Sequence, residues 1–519
     1  EPFMYFDNAI YWMDSPDRGR KRHYAAMLYK HTGMVPTTGG GRTFFEVLPS
    51  LAMIRGQVRD HFSWLHTDVA SYTVYFNLNN PEHEIAKITP DEIQIMKNGG
   101  NEDGIILDGS RKMKPLKFLP DADLEEADRL LVDLLVGNMT CPQGDRFLIL
   151  SWLSCFLLID FAGTRPMTRF EGSAGSGKTT ASKITSTLLF GEPQHKKATD
   201  AANYTDGSQN PLIVLDNIEV KQMTEDLTTF MLTSITGIAK EKRKSGTDSE
   251  TITERTKCLL NTTGIEPLCG ELSEILSRSF VINFDLANQA SDCFLESEVI
   301  SAIQQNRDLI ISAIMKRTSH VLAMIRDGAQ KQVMRLLHRT MPTHGKRRCN
   351  DYLSLMYLMM LAGSEEHEVT TGLEDLSPLF IEQIHSINDT SQEMARESNP
   401  IATALASLFH AYRNAVELDE KARYGEDDRA NHVVGFIERY QVRFENENTM
   451  EPVSAGRLLA ALRRVGREFN LEFEYKKPAQ LGRRISNDLD VIRDAGFDID
   501  RQRNAHTKNF EYRICHKSR

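Results

Sequence analysis

The sequence predicts an α/β protein in which helices flank a mostly parallel sheet. Two observations support this fold class. Strand-like and helix-like segments alternate between about residues 165 and 285, as they do in parallel sheets with crossover helices. Within that stretch a glycine-rich segment, 172–179, joins a short strand-like segment to a helix-like one. We therefore predict that residues 164–290 form the central layer of the molecule.

Length and composition place the chain among ordinary globular proteins of about two to four domains. Its 519 residues are 40% hydrophobic and 26% charged, which excludes collagen-like, low-complexity and wholly disordered chains. The longest apolar run, 147–159, is shorter than the roughly 20 residues that a membrane span needs. Seven scattered cysteines without a C-x-x-C pair argue against a disulfide framework or a zinc finger. We expect a cytoplasmic protein with no membrane partner.

Charge is unevenly distributed along the chain. The net charge is -10, yet residues 451–519 hold 15 Lys and Arg against 10 Asp and Glu, a net of +5. The rest of the chain therefore carries -15. A basic module on an acidic body is compatible with binding to nucleic acid through that module alone.

The segments outside the core differ from it in pattern. Residues 1 to about 65 are mainly helical in pattern, and alternating runs predict strands at 72–77, 84–88, 93–97 and 113–118. Helices are predicted at 124–136 and 147–159. We divide the chain into an N-terminal α+β region, 1–120; a helical segment, 121–163; the core, 164–290; a helical region, 291–416; a charged linker, 417–431; and a small module, 432–519.

Residues 172–179 match the phosphate-binding pattern G-x-x-x-x-G-K-[ST] in full. Glycines let successive backbone N–H groups converge on phosphate oxygens, and the helix N-terminus adds the positive end of its dipole. Lys178 is predicted to neutralise the phosphates, and Thr179 to bind Mg²⁺. We therefore predict ATP and Mg²⁺ as cofactors, the alternative being a glycine-rich surface turn. The predicted nucleotide-binding residues are Gly172, Ser173, Ala174, Gly175, Ser176, Gly177, Lys178, Thr179 and Thr180.

The second part of such a site is predicted at Asp216. An apolar strand, 212–215, ends at this acid, whose carboxylate is expected to reach the Mg²⁺ across the loop. Many ATPases carry another acid directly afterwards to orient the attacking water. This chain has Asn217 there, with Glu219 two residues further on, so Glu219 is our candidate for the general base. The alternative is a buried strand that ends in an ordinary turn.

Two further polar residues lie beside predicted strands. The strand predicted at 257–260 ends at Asn261, whose side chain is expected to contact the γ-phosphate or the attacking water. Arg278 directly precedes an apolar strand, 280–284. In a ring-shaped ATPase, an arginine at this place reaches the γ-phosphate of the neighbouring subunit. The alternatives are an ordinary strand-end asparagine and a surface arginine.

A basic β-hairpin is predicted between the strands that end at Asp216 and Asn261. Two alternating runs, 238–244 and 250–256, surround an S-G-T-D turn. The first run contains the cations Lys240, Lys242, Arg243 and Lys244. A hairpin at this place moves when the nucleotide site changes state, so its cations are predicted to hold and pull a DNA backbone. The alternative is a solvated charged hairpin.

The order of loop, Asp216, basic hairpin, Asn261 and Arg278 resembles superfamily 3 helicases of the AAA+ class. The likeness is closest to the ATPase half of phage and plasmid primase–helicases related to the poxvirus-type enzyme, and it covers about 165–290 well. The preceding segments look like the lead-in and collar of these proteins. The resemblance implies a homo-hexameric ring that translocates on single-stranded and fork DNA. It also implies a replication role in a bacterial or phage-infected host cytosol, with a primase or polymerase as partner.

The C-terminal module has the layout of a winged helix. Ser454 begins one predicted helix, Leu471–Tyr475 is strand-like, Pro478 opens a second helix that continues to Gly496, and a hairpin, 497–501 and 510–514, closes the module. It resembles the winged helices that often follow this ATPase core. The predicted DNA contacts are Arg483, Arg484, Arg503 and Lys508. Because Asp488, Asp490 and Asp494 share the second helix, a protein-docking module is the alternative.

Three functions are compatible with these patterns. The first is an ATP-driven DNA helicase at a replication fork. The second is an ATP-gated origin-binding or loader protein without processive unwinding, which agrees with Asn217 in place of an acid. The third is a non-replicative NTPase switch whose C-terminal module binds protein. No primase site is evident, so a priming domain is expected before Glu1 if the complete protein primes.

Overall fold

The computed structural model describes residues 2–517 apart from 7–8, 14–17, 58, 111, 195–199, 220–221, 244–250, 266–272, 290–294, 341–348, 363–375, 387–398, 425–430, 469–474 and 505–509. The elements below lie in these described residues. Among them, no helix combines the length and apolar character needed to cross a membrane.

The N-terminal region begins with a hairpin and two helices. Strands β1 (Phe3–Phe6) and β2 (Ala9–Trp12) pair antiparallel, and helices α1 (Arg18–Thr32) and α2 (Gly39–Arg55) follow. Thr38 caps α2, because its hydroxyl accepts from the backbone N–H of Gly41. The helical character predicted for this stretch is confirmed, and the hairpin is an addition to it.

Small sheets follow these helices. Strand β3 (Asp60–Phe62) runs parallel to β8 (Ile105–Leu107), and an antiparallel sheet lies between them in the chain. Its strands are β4 (Leu65–Asp68), β5 (Thr73–Asn77), β6 (Glu84–Ile88) and β7 (Ile93–Lys97). The strand predicted at 113–118 is wrong. This stretch is irregular because Lys114 N donates to Phe190 O, whereas Leu116 N donates to Leu78 O. Its backbone therefore pairs with two different segments and forms no continuous ladder with either.

The predicted helices of the next segment are confirmed. Helix α3 (Leu124–Leu134) starts at Asp123, whose carboxylate accepts from the N–H groups of Glu125 and Glu126. Helix α4 (Gln143–Ser154) continues as a 3₁₀ helix, Cys155–Phe161. The apolar run that the sequence placed here is buried in the main core.

The core is a parallel four-stranded sheet of order β10-β13-β9-β14. Its elements in chain order are β9 (Met167–Glu171), α5 (Lys178–Phe190), α6 (Asp200–Gln209), β10 (Leu212–Leu215), α7 (Glu225–Thr236), β11 (Ala239–Arg243), β12 (Thr251–Arg255), β13 (Leu259–Gly264), α8 (Ser273–Leu276) and β14 (Ser279–Asn283). Strands β11 and β12 form a separate antiparallel hairpin. The α/β fold class and the hairpin predicted from the sequence are both confirmed.

Both faces of the sheet are buried, as parallel sheets require. Successive residues of a strand enter different apolar clusters because side chains alternate between the two faces. Leu212 and Val214 pack into the main core of the molecule. Ile213 and Leu215 point to the other face and pack into a smaller cluster beside α7. Because the four strands are parallel, their carboxyl ends lie at one edge of the sheet, where the glycine-rich loop 172–179 begins.

The long helix α9 (Glu296–Arg326) covers α5 and α3, and α10 (Ala329–Thr340), α11 (Asn350–Leu361) and α12 (378–386) complete this part. Buried Arg307 of α9 donates to Leu188 O at 2.9 Å and to Leu189 O at 2.6 Å. It thereby satisfies carbonyls at the end of α5. The helical region predicted after the core is thus present, and it shares the main core with α4.

A second apolar core belongs to the C-terminal part. Its elements are α13 (Pro400–Tyr424), α14 (His432–Tyr440), β15 (Phe444–Asn446), β16 (Thr449–Ser454), α15 (Ala455–Glu468), α16 (Pro478–Asn487), α17 (Leu489–Asp494), β17 (Phe497–Arg503) and β18 (Phe510–His516). The sheet order is β15-β16-β18-β17. The predicted second helix is divided at Asp488 into α16 and α17, and residues 471–474 of the strand predicted at Leu471–Tyr475 lie outside the described residues.

The linker predicted at 417–431 is wrong in its first half. Helix α13 continues to Tyr424, because Tyr412 and Ala415 anchor it in the second core. Leu405 and Leu408 of the same helix lie in that core as well. The C-terminal part therefore begins near Pro400 instead of residue 432, and the predicted helical region 291–416 contributes to two cores.

Candidate functional site

The phosphate-binding loop has a backbone that only glycine permits at two places. Gly172 and Gly177 have φ of 144° and 98°, values that side chains rarely adopt. A Cβ at Gly172 would lie 2.2 Å from Phe284 O, and one at Gly177 would lie 2.4 Å from Thr140 Oγ1. Helix α5 begins directly afterwards at Lys178. The loop therefore leads directly into a helix N-terminus, which suits a phosphate.

Lys178 is folded onto this loop. Its Nζ donates to Gly172 O and to Ser173 O, both at 2.7 Å, and to Ser176 Oγ at 3.2 Å. Burial lowers the pKa of Lys178, and the negative charges of Glu219 and Asp216 oppose that shift. The ammonium is thus held where phosphate oxygens are expected to lie, with acids near it.

Asp216 lies next to two hydroxyl groups. Thr179 Oγ1 is 3.4 Å from Asp216 Oδ1, and Thr263 Oγ1 donates to the same oxygen at 2.6 Å. One carboxylate and one hydroxyl suit Mg²⁺, which usually keeps several waters and binds substrate phosphates besides one or two protein ligands. The described residues contain no cluster of three His, Cys, Asp or Glu side chains that would hold a metal by itself. These donors therefore fit an ion that arrives with the nucleotide.

Glu219 follows the turn after β10. Asn217 has φ of 55°, and its N–H donates to Thr263 Oγ1 at 2.9 Å. Glu219 is half-buried, and its Oε1 accepts from Ile265 N at 2.9 Å. The turn therefore directs Glu219 toward the end of β13, on the same edge of the sheet as Lys178.

Asn261 does not lie at the end of its strand. Strand β13 continues to Gly264, so Asn261 is inside it and fully buried. Its Oδ1 accepts from Ser182 Oγ at 2.8 Å, and its Nδ2 donates to Thr168 Oγ1 at 2.9 Å. The predicted strand end is wrong because neighbouring hydroxyls satisfy this amide within the sheet. Thr263, which the sequence reasoning missed, takes the strand-end place two residues later.

Arg278 lies at the opposite edge of the sheet. It directly precedes β14, and its carbonyl accepts from Met167 N at the start of β9. Its guanidinium forms an ion pair with Glu274 at 2.8 Å. Because the strands are parallel, this edge is remote from the phosphate-binding loop of the same chain. Within this chain, Arg278 and the loop 172–179 therefore lie at opposite ends of the parallel strands.

A cavity of about 220 Å³ lies beside the phosphate-binding loop. Thr180 and Glu296 line it, and the Thr180 hydroxyl donates to Glu296 Oε2 at 2.5 Å. Lys183 Nζ forms an ion pair with the same carboxylate at 2.7 Å. Thr140 also lines the cavity, and its Oγ1 donates to Ser176 O. Glu296 and Thr140 were not predicted, since each is far from the loop in sequence.

The basic hairpin is anchored at its base. Lys240 and Lys242 of β11 are in register with Glu254 and Ile252 of β12, and Arg243 is in register with Thr251. Lys244 lies outside the described residues. At the base, Arg165 Nη1 donates to Thr256 O at 2.8 Å. The end of β12 is thus joined to the segment that leads into β9.

Buried charges support this anchor. Asp160 pairs with Arg165 at 3.0 Å through one oxygen and with Lys257 at 2.9 Å through the other. Burial raises the pKa of Asp160, but Lys257 and Arg165 outweigh it and the pKa is lowered. Asp160 therefore stays ionised and holds both cations at the hairpin base.

The predicted C-terminal contacts have different environments. Arg483 is exposed on α16, whereas Arg484 pairs with buried Asp488 at 2.6 Å. Asp488 also accepts from Asn399 at 2.9 Å, so Arg484 is part of the internal structure of this module. Arg503 ends β17 and is exposed, and Lys508 lies outside the described residues.

A groove of about 660 Å³ opens beside Arg483. Among the described residues that line it are Arg483 and Arg501, and none of these described residues is acidic. The Arg501 guanidinium stacks on Phe510 at 3.6 Å from the ring centroid. The groove therefore combines positive charge with an exposed aromatic ring, a combination that suits nucleic acid. The sequence reasoning missed Arg501 and Phe510.

No family model and no curated protein matches the chain. The solved structures that it resembles include the "SCCmec type IV Cch - active helicase", with 12% identity, a TM-score of 0.49, and coverage of 92% of this chain and 82% of that chain. The "A form apo structure of NrS-1 C terminal region" has 12% identity, a TM-score of 0.38, and coverage of 99% and 93%. Values this low support no conclusion on activity.

Proposed function

We propose that the chain is an ATP hydrolase that drives movement on DNA, a helicase of the AAA+ superfamily 3 type acting in replication of a phage or mobile element. The observation that carries this proposal is the combination of Lys178, Thr179 and Asp216 at one sheet edge with a basic hairpin inserted between β10 and β13. Lys178, Thr179 and Asp216 together suit a nucleotide with its metal ion. The hairpin links that site to a polyanion.

In the proposed reaction the chain's residues position the nucleotide and the attacking water. Lys178 leaves the carbonyls of Gly172 and Ser173 and neutralises the phosphates. Thr179 and Asp216 would hold Mg²⁺, which offsets charge that develops on the phosphate oxygens. Glu219 would accept the proton of the attacking water, because Asn217 has no carboxylate to do so.

Arg278 makes the proposed site depend on a second copy of the chain. Since it lies at the edge opposite the phosphate-binding loop, it can act on a nucleotide only in a neighbouring subunit. This agrees with a homo-hexameric ring in which each subunit supplies an arginine to the next. Release of Arg278 from Glu274 would then accompany closure of the interface.

DNA is proposed to bind at two places. Lys240, Lys242, Arg243 and Lys244 of the hairpin would hold the backbone of single-stranded DNA within the ring. The C-terminal part has helices α15 and α16 between β16 and the hairpin β17–β18 in the chain, and the three strands form a sheet of order β16-β18-β17. It is proposed to be a winged helix. Its groove with Arg483 and Arg501 would take DNA phosphates.

ATP hydrolysis measured with and without single-stranded DNA, at low and moderate salt, tests this proposal. Wild type should be stimulated by DNA, the stimulation should fall as salt rises, and Lys178→Ala should be inactive. Arg307→Lys, at a buried arginine away from the site, is the control for general damage. Hydrolysis that DNA does not change would contradict the proposal.

One observation favours an ATP-gated loader as second candidate. Asn217 occupies the place of the usual second acid, which agrees with slow turnover, and the groove on the C-terminal part suits duplex DNA. This candidate predicts tight duplex binding by the full chain with little strand separation. Unwinding of a forked substrate at many turnovers would exclude it.

A further inference from the structure

A charged side chain is buried in the middle of the central sheet. Arg169 lies on β9, between β13 and β14, and has no solvent exposure. Burial of a guanidinium costs several kcal/mol unless its donors are satisfied and its charge is paired. Glu171, which is also buried, forms an ion pair with Nε of Arg169 at 3.1 Å. An apolar residue would fill this place at lower cost, so the contacts of Arg169 need an explanation.

The other contacts of Arg169 hold the turn after β10. Its Nη1 donates to Ile218 O at 2.8 Å and to Thr263 O at 2.9 Å. The same Thr263 carbonyl accepts from Ile218 N at 2.8 Å. Both peptide groups of Ile218 are therefore fixed against β13, one directly by the guanidinium and one through the carbonyl that it shares.

These hydrogen bonds fix the peptide group that joins Ile218 to Glu219. Ile218 O belongs to the peptide bond whose nitrogen is that of Glu219, so its orientation sets the direction in which the Glu219 side chain leaves the backbone. Arg169 is also close enough for electrostatic interaction with Glu219. A shift of about 1 Å in a reacting group can cost on the order of 100-fold in rate.

The end of β13 is shaped around this guanidinium. A Cβ at Gly264 would lie 1.9 Å from Arg169 Nη2 and 2.6 Å from its Cζ. Gly264 does not need an unusual backbone, since its φ is not among the positive values. Glycine is therefore required at position 264 because any larger residue would collide with Arg169. The backbone conformation there does not require it.

We propose that Arg169 is a positioning residue for hydrolysis, which fixes the Asp216–Glu219 turn so that Glu219 is aimed at the attacking water. The inference rests on the proposed function and deepens it. It assigns Arg169 no contact with the nucleotide, so loss of Arg169 changes turnover and leaves nucleotide affinity in place.

Two variants and one control test this inference. Arg169→Lys keeps the charge but lacks the fork that reaches two carbonyls and Glu171, and Gly264→Ala keeps Arg169 but displaces it. Both should lower kcat about 10- to 100-fold, with the Kd for ATP within about 3-fold of wild type. Arg307→Lys, which alters an equally buried arginine bonded to carbonyls, should leave kcat unchanged.

A double-mutant cycle separates positioning from general stabilisation. Arg169→Lys should reduce kcat in the wild-type background and by less than about 2-fold in Glu219→Gln, because the group that it aims is already absent. Equal losses in both backgrounds, or wild-type kcat in both Arg169→Lys and Gly264→Ala, would overturn the inference. If Arg169→Lys does not fold, Gly264→Ala carries the cycle. Wild type and Lys178→Ala in the same assay report on the proposed ATPase itself, so the two failures are distinguishable.

Discussion

Thr263 donates a hydrogen bond to Asp216 across the ends of two neighbouring strands, with 2.6 Å between Thr263 Oγ1 and Asp216 Oδ1. The same hydroxyl oxygen accepts from Asn217 N at 2.9 Å. One side chain of β13 therefore orients the carboxylate that follows β10 and the turn behind it. Groups that orient metal ligands in this way contribute to metal affinity although they do not touch the metal.

Thr263→Ala should weaken the response to Mg²⁺. Without the hydroxyl, Asp216 loses its orienting donor, so half-maximal hydrolysis should require roughly 10-fold more Mg²⁺. Hydrolysis measured over a range of Mg²⁺ concentrations gives this value. Thr263→Ser keeps the hydroxyl and should behave as wild type. An unchanged Mg²⁺ response in Thr263→Ala would show that Asp216 does not depend on Thr263.

Arg278→Ala should bind ATP normally and hydrolyse it about 1,000-fold more slowly. The reason is that Arg278 is proposed to act on the neighbour's nucleotide, so it contributes nothing to binding within its own subunit. Nucleotide affinity and turnover are measured separately. Mixing Arg278→Ala with Lys178→Ala should restore part of the activity, since an intact loop and an intact arginine then meet at some interfaces. No recovery in mixed assemblies would contradict action between subunits.

Substitutions of Arg483 and Arg484 should have different effects, the first on DNA affinity and the second on stability. Arg483→Ala/Arg501→Ala removes two cations from the C-terminal groove, so DNA affinity should fall and the slope of log affinity against log salt should decrease by about two. Fluorescence anisotropy with labelled DNA measures both. Arg484→Ala leaves Asp488 buried without its ion pair and should instead lower the thermal stability of this part. The reverse assignment of these two phenotypes would contradict the proposed groove.

Asp160→Asn should destabilise the protein at neutral pH by about 3 kcal/mol, because it leaves Arg165 and Lys257 without their anion. The pKa of Asp160 is lowered from its ordinary value of 3.8, since Lys257 and Arg165 outweigh the effect of burial. Its stabilisation is therefore complete above that value and is lost as the pH falls through the lower folded pKa. Denaturant unfolding of wild type and Asp160→Asn should converge in acid. Asp91→Asn, in an exposed pair with Arg326, should change the stability little, because solvent screens such pairs. A constant difference at every pH would contradict ionised Asp160 as the anchor.

The sequence predicts those features that depend on neighbouring residues. The loop at 172–179 and the hairpin strands β11 and β12 follow from local spacing, and β9 and β10 lie where the patterns place them. Strand β13 differs, because it continues to Gly264 instead of ending before Asn261. Glycine at 172 and 177 is required by backbone and close contacts that the pattern already implies. Local signals of this kind survive because tertiary packing agrees with them.

Features that depend on residues far away in the sequence cannot be predicted from local spacing. Asn261 is a strand interior residue only because Ser182 and Thr168 satisfy its amide, and nothing near it in sequence reveals them. The charged residues after 416 remain helical because the earlier turns of α13 are anchored in the second core. An Arg–Asp spacing of four residues at 484 and 488 is visible in the sequence, whereas the burial of Asp488 is not.

The most direct test of the central claim compares hydrolysis with strand separation in the hairpin variant Lys242→Ala/Lys244→Ala. Unwinding of a forked DNA and ATP hydrolysis are measured in the same samples, with Lys331→Ala/Arg335→Ala, which removes two exposed cations of α10, as control. We predict that the hairpin variant hydrolyses ATP at close to the wild-type rate without DNA and fails to unwind, whereas the control does both. Wild-type unwinding by the hairpin variant would contradict the claim that this hairpin couples ATP hydrolysis to movement on DNA.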